Sequence, residues 1–432
     1  MMGENYPKIL VINQQSIFKK NATGITLQST LKSWPKDKLM ELAISPSENS
    51  ISQEFSGIKT ISATKATFPL RTLSNIRIFK KVNNNLKSTQ KVQKTHYTQS
   101  KITKKEILRE CFYVTTDLSS MFIGSNLKKE IDRFNPDVIY TLGGSVSVMK
   151  MSLYFSKRYD INIVIHFMDN WQETLQWDNN KLLKPYKVVM DRWLDKIYQH
   201  SVRALAISPQ MAEVYTKRWN IPHYSLMNSI DINSMYCETK IPSETFCFVY
   251  AGGLHLQRWK SLQDISEAIN VVSIELKRKI VLKIYTGKEN KQQYQKNFNQ
   301  EFVQFNDFVP HEKIKHIFNE ADVLVHTEMD NAQMYGFFKY SISTKIPEYL
   351  SANRPMLFYG PQKLYLYQYL EGESAAFTAS NKDELIQSIK QLVQSHKSKD
   401  IILRNGRMLA LKNHDRKNAD KVFYNAIVES VK

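Results

Sequence analysis

The sequence predicts an α/β protein of two parallel-sheet domains facing each other across a cleft, and three observations carry that reading. Short Val/Ile-rich runs ending in polar residues or glycine alternate with helical stretches along nearly the whole chain, the pattern of parallel strands buried on both faces. The alternation comes in two series, separated by a polar stretch at 231–244 that reads as a linker. The length, 432 residues, is more than one hydrophobic core ordinarily organises.

The first series opens with KILVIN at 8–13 and continues with DVIYTL at 137–142, NIVIHF at 162–167 and RALAI at 203–207. Amphipathic helices are expected between them, for example at 149–158 and 187–200. Residues 46–110, rich in Ser, Thr, Asn and Lys, break this rhythm and read as an elaboration of the first domain. The second series runs through FCFVYA at 246–251, VLKIYT at 281–286, DVLVH at 322–326 and PMLFY at 355–359, with helices expected at 260–275 and 313–319. The predicted boundaries are therefore 1–230, 245–413 and a C-terminal helix within 414–432. In such sheets ligands bind at the carboxyl ends of the strands, and two domains can bring those ends to one cleft.

Composition narrows the class. With 42% hydrophobic and 23% charged residues the chain is globular, and no apolar run approaches the roughly 20 residues that cross a bilayer. The first residues lead into a strand without the apolar stretch of a secretion signal, so a cytoplasmic protein is expected. Three cysteines, Cys111, Cys237 and Cys247, have no metal-ligand spacing and suit a reducing compartment. The net charge of +19 favours polyanionic partners. It is concentrated at 71–109, where eleven Lys/Arg face one acid, Glu106. That stretch reads equally as a solvated basic loop or as a surface for anionic lipid headgroups at the inner face of a membrane. Nucleic acid is not expected, since neither zinc-finger spacing nor an aromatic-glycine RNA motif is present.

Four segments carry candidate chemistry. After the first strand, Asn21-Ala22-Thr23-Gly24 places a glycine before a helix, where backbone can approach a phosphate or sugar; a plain helix cap at Thr23 explains it equally. His166, at the end of the strand at 162–167, and Asp169, just beyond it, are candidates to touch and orient a substrate, though a lone histidine is more often structural. At 250–261 a strand ends in Gly252-Gly253, and Arg258 and Lys260 open a helix. Cations at a helix N-terminus oppose its dipole unless an anion sits there, so the pair is assigned to a pyrophosphate. At 339–350, Ser343 and Thr344 precede Ile346-Pro347-Glu348 and predict a helix start that takes an anion, with Glu348 able to accept a ribose diol. No metal site is expected: His311 and His316 are five apart, and Glu328-Met329-Asp330 stands alone. No nucleophile elbow, Walker loop or catalytic Cys-His arrangement appears.

Together these segments resemble glycosyltransferases of the GT-B fold, specifically the large retaining family four. The resemblance runs from Lys8 to about Leu392 and is most specific in FVYAGGLHLQRWKSL, VLKIYTG, FVPHEKIKHIFNEADVLVH and STKIPEYLSANRPML. It implies two Rossmann-like domains with an interdomain cleft and a last helix returning to the first domain. It implies that Glu348 binds the nucleotide ribose, that Arg258 and Lys260 bind the diphosphate, that Gly24 lies in the donor-side glycine loop and that His166 lies near the donor sugar. Two positions depart from the family pattern: Tyr340 stands where a Glu is common, and Gly253 where an Arg is usual. Both bear on recognition of the donor sugar.

The function implied is transfer of a hexose from a nucleotide-diphosphate sugar to a cell-envelope or lipid-linked glycan acceptor, with retention, without metal and without a cofactor. Cations and backbone donors would meet the charge developing on the leaving diphosphate. A nucleotide-sugar epimerase of the same fold and a catalytically idle scaffold are the alternatives.

Overall fold

A computed structural model of the chain describes residues 6–19, 21–45, 55, 57–62, 104–174, 184–329, 335–336 and 338–432. They divide into two compact units, one holding residues up to Asn228 together with Ala419–Lys432, the other Ser229–Asn418.

The first unit is built on a seven-stranded sheet: β1 (Ile9–Gln15), β2 (Leu39–Ser45), β3 (Lys59–Ser62), β4 (Val138–Thr141), β5 (Ile163–Phe167), β6 (Ala204–Ala206) and β7 (His223–Ser225). The strand order is β3-β2-β1-β4-β5-β6-β7, with every neighbouring pair parallel. The order reverses between β1 and β4, as in the doubly wound nucleotide-binding sheets. The expected strands of the first series are present with ends shifted by one or two residues. They form because their Val/Ile runs bury completely: Ile9, Leu10, Ile12, Ile163 and Ile165 have no exposed surface. Helix α1 (Ala22–Leu31) follows β1, and helix α2 (Val146–Tyr159), capped by Ser145, follows β4.

The chain's last helix completes this unit. In α5 (Arg416–Val428) Phe423, Ala426 and Ile427 join the core formed by Val11, Leu31, Val138 and Tyr140. The Phe423 ring meets Tyr140 edge-on at 5.4 Å and Trp34 at 5.5 Å. Beyond the helix, Glu429 accepts hydrogen bonds from Arg203 Nε at 2.7 Å and the Tyr224 hydroxyl at 2.6 Å.

The second unit repeats the plan with six strands: β8 (Phe246–Ala251), β9 (Ile280–Thr286), β10 (Val303–Asp307), β11 (Val323–Thr327), β12 (Met356–Tyr359) and β13 (Phe377–Ala379). Their order is β10-β9-β8-β11-β12-β13, again all parallel and again reversing beside the first strand. Helix α3 (Arg258–Glu275) packs Leu262, Ile265, Ile269 and Val272 against β8, β9 and β11.

One sequence expectation needs correction. The polar stretch at 231–244 is not a free linker. Ile232 and Cys237 are buried, Asn353 Nδ2 donates to the Cys237 carbonyl at 3.1 Å, and Arg354 Nη1 donates to that of Glu238 at 2.8 Å. Satisfied backbone carbonyls bind this stretch to the second unit despite its polar side chains. The elaboration at 46–110 contributes edge strand β3 and the start of a helix, Lys104–Leu118. Most of its basic segment, 71–103, lies outside the described residues. No described helix is long and apolar enough to cross a membrane.

Candidate functional site

In the second unit the sheet reverses between β8 and β11, and the two strand ends there carry a polar cluster. After β8 the backbone turns through Gly252 and Gly253, and the Tyr250 hydroxyl donates to the Gly253 carbonyl at 2.7 Å. Leu256 and Gln257 then both take the left-handed conformation, φ 61° and 60°. Two consecutive residues with a Cβ in that region store strain, of order 1–3 kcal/mol each, and they redirect the chain into α3 at Arg258.

The Arg258 guanidinium is held by Glu328, one residue beyond β11. Nε and Nη2 donate to its two carboxylate oxygens at 3.1 and 2.5 Å. The side chains are only 13% and 5% exposed, so the pair is largely shielded from water. Burial alone would raise the Glu328 carboxyl, but Arg258 and nearby His326 overcome it and hold the group down at about 2. His326 Nε2 lies 3.5 Å from Glu328 Oε1, and burial keeps that imidazole below its usual range.

Glu348 sits in helix α4 (Ile346–Ser351), 8% exposed. Its Oε1 pairs with His311 Nε2 at 2.6 Å, and this hydrogen bond raises the imidazole above its ordinary value. His311 starts a single 3-10 turn, His311–Lys313. Sequence spacing discounted it as a metal ligand, and the described residues hold no cluster able to bind a metal.

Several predicted site residues prove different in kind. Arg258 is already committed to a carboxylate, so it serves a bound anion only as part of an ion pair. Lys260 is exposed on α3, with its amine 5.7 Å from the Trp259 ring centroid. Ser343 and Thr344 do not cap α4. The helix begins two residues later, after Lys345, with no side-chain cap, because the turn is closed instead by the Ile346 amide bonding the Ser343 carbonyl at 3.0 Å. Tyr340 is buried beneath Lys339, whose amine is 4.8 Å from its ring.

The remaining predicted residues belong to the first unit. Gly24 lies in the first turn of α1, and its amide donates to Asn21 Oδ1 at 2.9 Å, so Asn21 rather than Thr23 caps the helix. A Cβ on Gly24 would lie 1.9 Å from the Lys19 carbonyl oxygen; glycine is needed there for the chain's own backbone. His166 is fully buried, with Nδ1 2.7 Å from the Tyr140 hydroxyl. Burial pushes it down to about 3, despite the opposing backbone of Leu226, so it is neutral near pH 7. The contact with Tyr140 ties β5 to β4. Asp169, just beyond β5, is raised to about 6 by burial against the lowering effect of the Trp171 backbone.

Sequence reasoning gave no role to Glu328, Lys345 or His311. Their partners are 70 or 37 residues away, or, for Lys345, reached only through the fold. The one local signal was a lysine directly before the apolar helix IPEYLS.

Two parallel sheets in the doubly wound order, one in each unit, define the fold: it is the GT-B architecture of two Rossmann-like domains. No protein-family model matches the chain, and no curated protein matches it by sequence. Solved structures match over almost its whole length. HepE from Anabaena, in complex with UDP, superposes with a TM-score of 0.63 at 13% identity, covering 98% of this chain and 100% of that one. Sucrose-phosphate synthase from Thermosynechococcus elongatus gives 0.60 at 10% identity, covering 98% of each chain. The lipopolysaccharide outer core galactosyltransferase WaaB gives 0.55 at 14%, covering 98% and 99%.

Proposed function

We propose that this chain is a glycosyltransferase that moves a sugar from a nucleotide-diphosphate donor to a cell-envelope or lipid-linked glycan acceptor, with retention and without a metal. The observation that carries the reading is the cluster at the β8 and β11 ends: Arg258, Lys345, Glu328 and Glu348 around a Gly-Gly turn at the switch point of the second sheet. Fixed positive groups at a backbone turn suit a leaving diphosphate, whose charge grows in the transition state, and Glu348 suits the ribose diol. The likeness to HepE, described in complex with UDP and with UDP-glucose, and to WaaB supports a nucleotide sugar as donor.

A thermal-shift panel of nucleotide sugars should raise the melting temperature with one donor above the rest, because a ligand of the native state alone stabilises it by mass action. With that donor and a lipid-linked acceptor, nucleotide release should continue in EDTA. A panel without any shift, or activity abolished by EDTA and restored by Mn²⁺ or Mg²⁺, contradicts the proposal.

The basic stretch at 71–109 would place the enzyme on the inner face of a membrane, at about 1 kcal/mol per cation near anionic lipid. Its test is co-sedimentation with anionic vesicles, expected at low salt and lost at high salt. Equal sedimentation with neutral vesicles refutes it.

A further inference from the structure

Lys345 is the cation of the cluster that no described carboxylate holds. It lies directly before α4, and its amine forms no hydrogen bond or ion pair with any described residue. The nearby carboxylates are engaged elsewhere: both Glu328 oxygens receive Arg258, and Glu348 Oε1 is paired with His311. The amine points at the glycine turn instead. A Cβ on Gly252 would lie 1.9 Å from Lys345 Nζ and 3.2 Å from Cε, and the amine is 5.2 Å from the Tyr250 ring centroid. Gly252 thus leaves room for an ammonium group against the backbone at the end of β8.

We infer that Lys345, rather than Lys260, is the free cation that takes the donor's diphosphate, seated in the space that Gly252 leaves open. The inference rests on the transferase reading above and assigns the phosphate-binding charge within that same site. An ammonium drawn away from water without a carboxylate is costly, and an arriving phosphate oxygen supplies the missing partner through a charge-assisted hydrogen bond. Burial first, then repulsion from Arg258, push the amine down to about 7, against the pull of Glu328 and Glu348. Lys260 is exposed beside Trp259.

The test is calorimetric titration of UDP, GDP and ADP, each beside its nucleoside, into the full-length wild type, Lys345→Met and Lys260→Met. For the nucleotide that binds, Lys345→Met is expected to lose about ten- to a hundredfold in diphosphate affinity and nothing for the nucleoside. Lys260→Met should lose less than threefold. The ligand-free melting temperature of Lys345→Met should equal or exceed that of the wild type, since an unpaired charge has been removed. Gly252→Ala, which fills the amine's space and keeps its charge, should weaken the diphosphate in the same way and serves if Lys345→Met does not fold. A wild type that binds no nucleoside diphosphate overturns the transferase reading. A wild type that binds, with Lys345→Met and Gly252→Ala matching it, overturns the Lys345 assignment alone.

Discussion

Arg258→Ala is expected to destabilise the protein by about 3–5 kcal/mol at neutral pH, the usual cost of removing one partner from a buried ion pair. The loss comes chiefly from Glu328, left 5% exposed with no bidentate donor. If Lys345, freed from repulsion by Arg258, turns toward the abandoned carboxylate, the loss falls at the lower end of that range. The pH dependence has a definite sign. Glu328 is depressed from 4.5 to about 2 in the folded protein, so its contribution is complete above about pH 4.5 and is lost as pH falls toward 2. In the variant, burial without Arg258 drives the carboxyl upward. The difference in urea midpoint between wild type and variant should therefore be largest near neutrality and shrink through that acid window. An unchanged midpoint at pH 7 would show that the pair contributes nothing.

For Glu348 the expected effect is on ligand affinity. Donor binding should fall in the order wild type, Glu348→Gln, Glu348→Ala, because the first change removes charge and the second removes both acceptors; charge-assisted bonds are roughly twice as strong as neutral ones. A donor with 2′-deoxyribose should bind the wild type more weakly, with little further penalty in Glu348→Ala, a non-additivity that marks direct contact. Equal deoxy penalties in wild type and Ala would refute the ribose assignment. The partner supplies an independent check. His311 is raised by its hydrogen bond to Glu348, so in Glu348→Gln its imidazole, followed by proton resonance, should titrate at lower pH than in the wild type.

What was legible in the sequence divides along physical lines. The interior strands β1, β4, β5, β8, β9, β11 and β12, together with β6, read as short apolar runs, because burial on both faces demands it. All four edge strands escaped notice: β3, β7, β10 and β13. An edge strand keeps one side near water and needs no continuous apolar run; KTIS and VQFND carry no such signal. β2 is interior but was obscured by Glu41 in its middle. That buried carboxylate is satisfied from outside the strand, by the Ser16 hydroxyl at 2.9 Å, the Ile17 amide at 2.6 Å and the Thr60 hydroxyl at 3.0 Å. The site divides similarly. Glycines followed by Arg258, and a carboxylate in a Ser/Thr-Pro context at Glu348, are local patterns. That Arg258 would meet Glu328, that Glu348 would meet His311, and that Lys345 would fill the space beside Gly252 are facts of tertiary packing. His166, a polar residue at a strand end, is buried against Tyr140, a contact that no local pattern announces.

The placement of α5 has a consequence for synthesis. The core of the first unit includes Phe423, Ala426 and Ile427, whereas every strand of its sheet has been made by Ser225. A chain emerging from the ribosome therefore carries an N-terminal sheet with part of its apolar face uncovered while the entire second unit, Ser229–Asn418, is being added. The described part of the second unit is one contiguous stretch and can close on its own residues first. The first unit is begun before the second and closed after it.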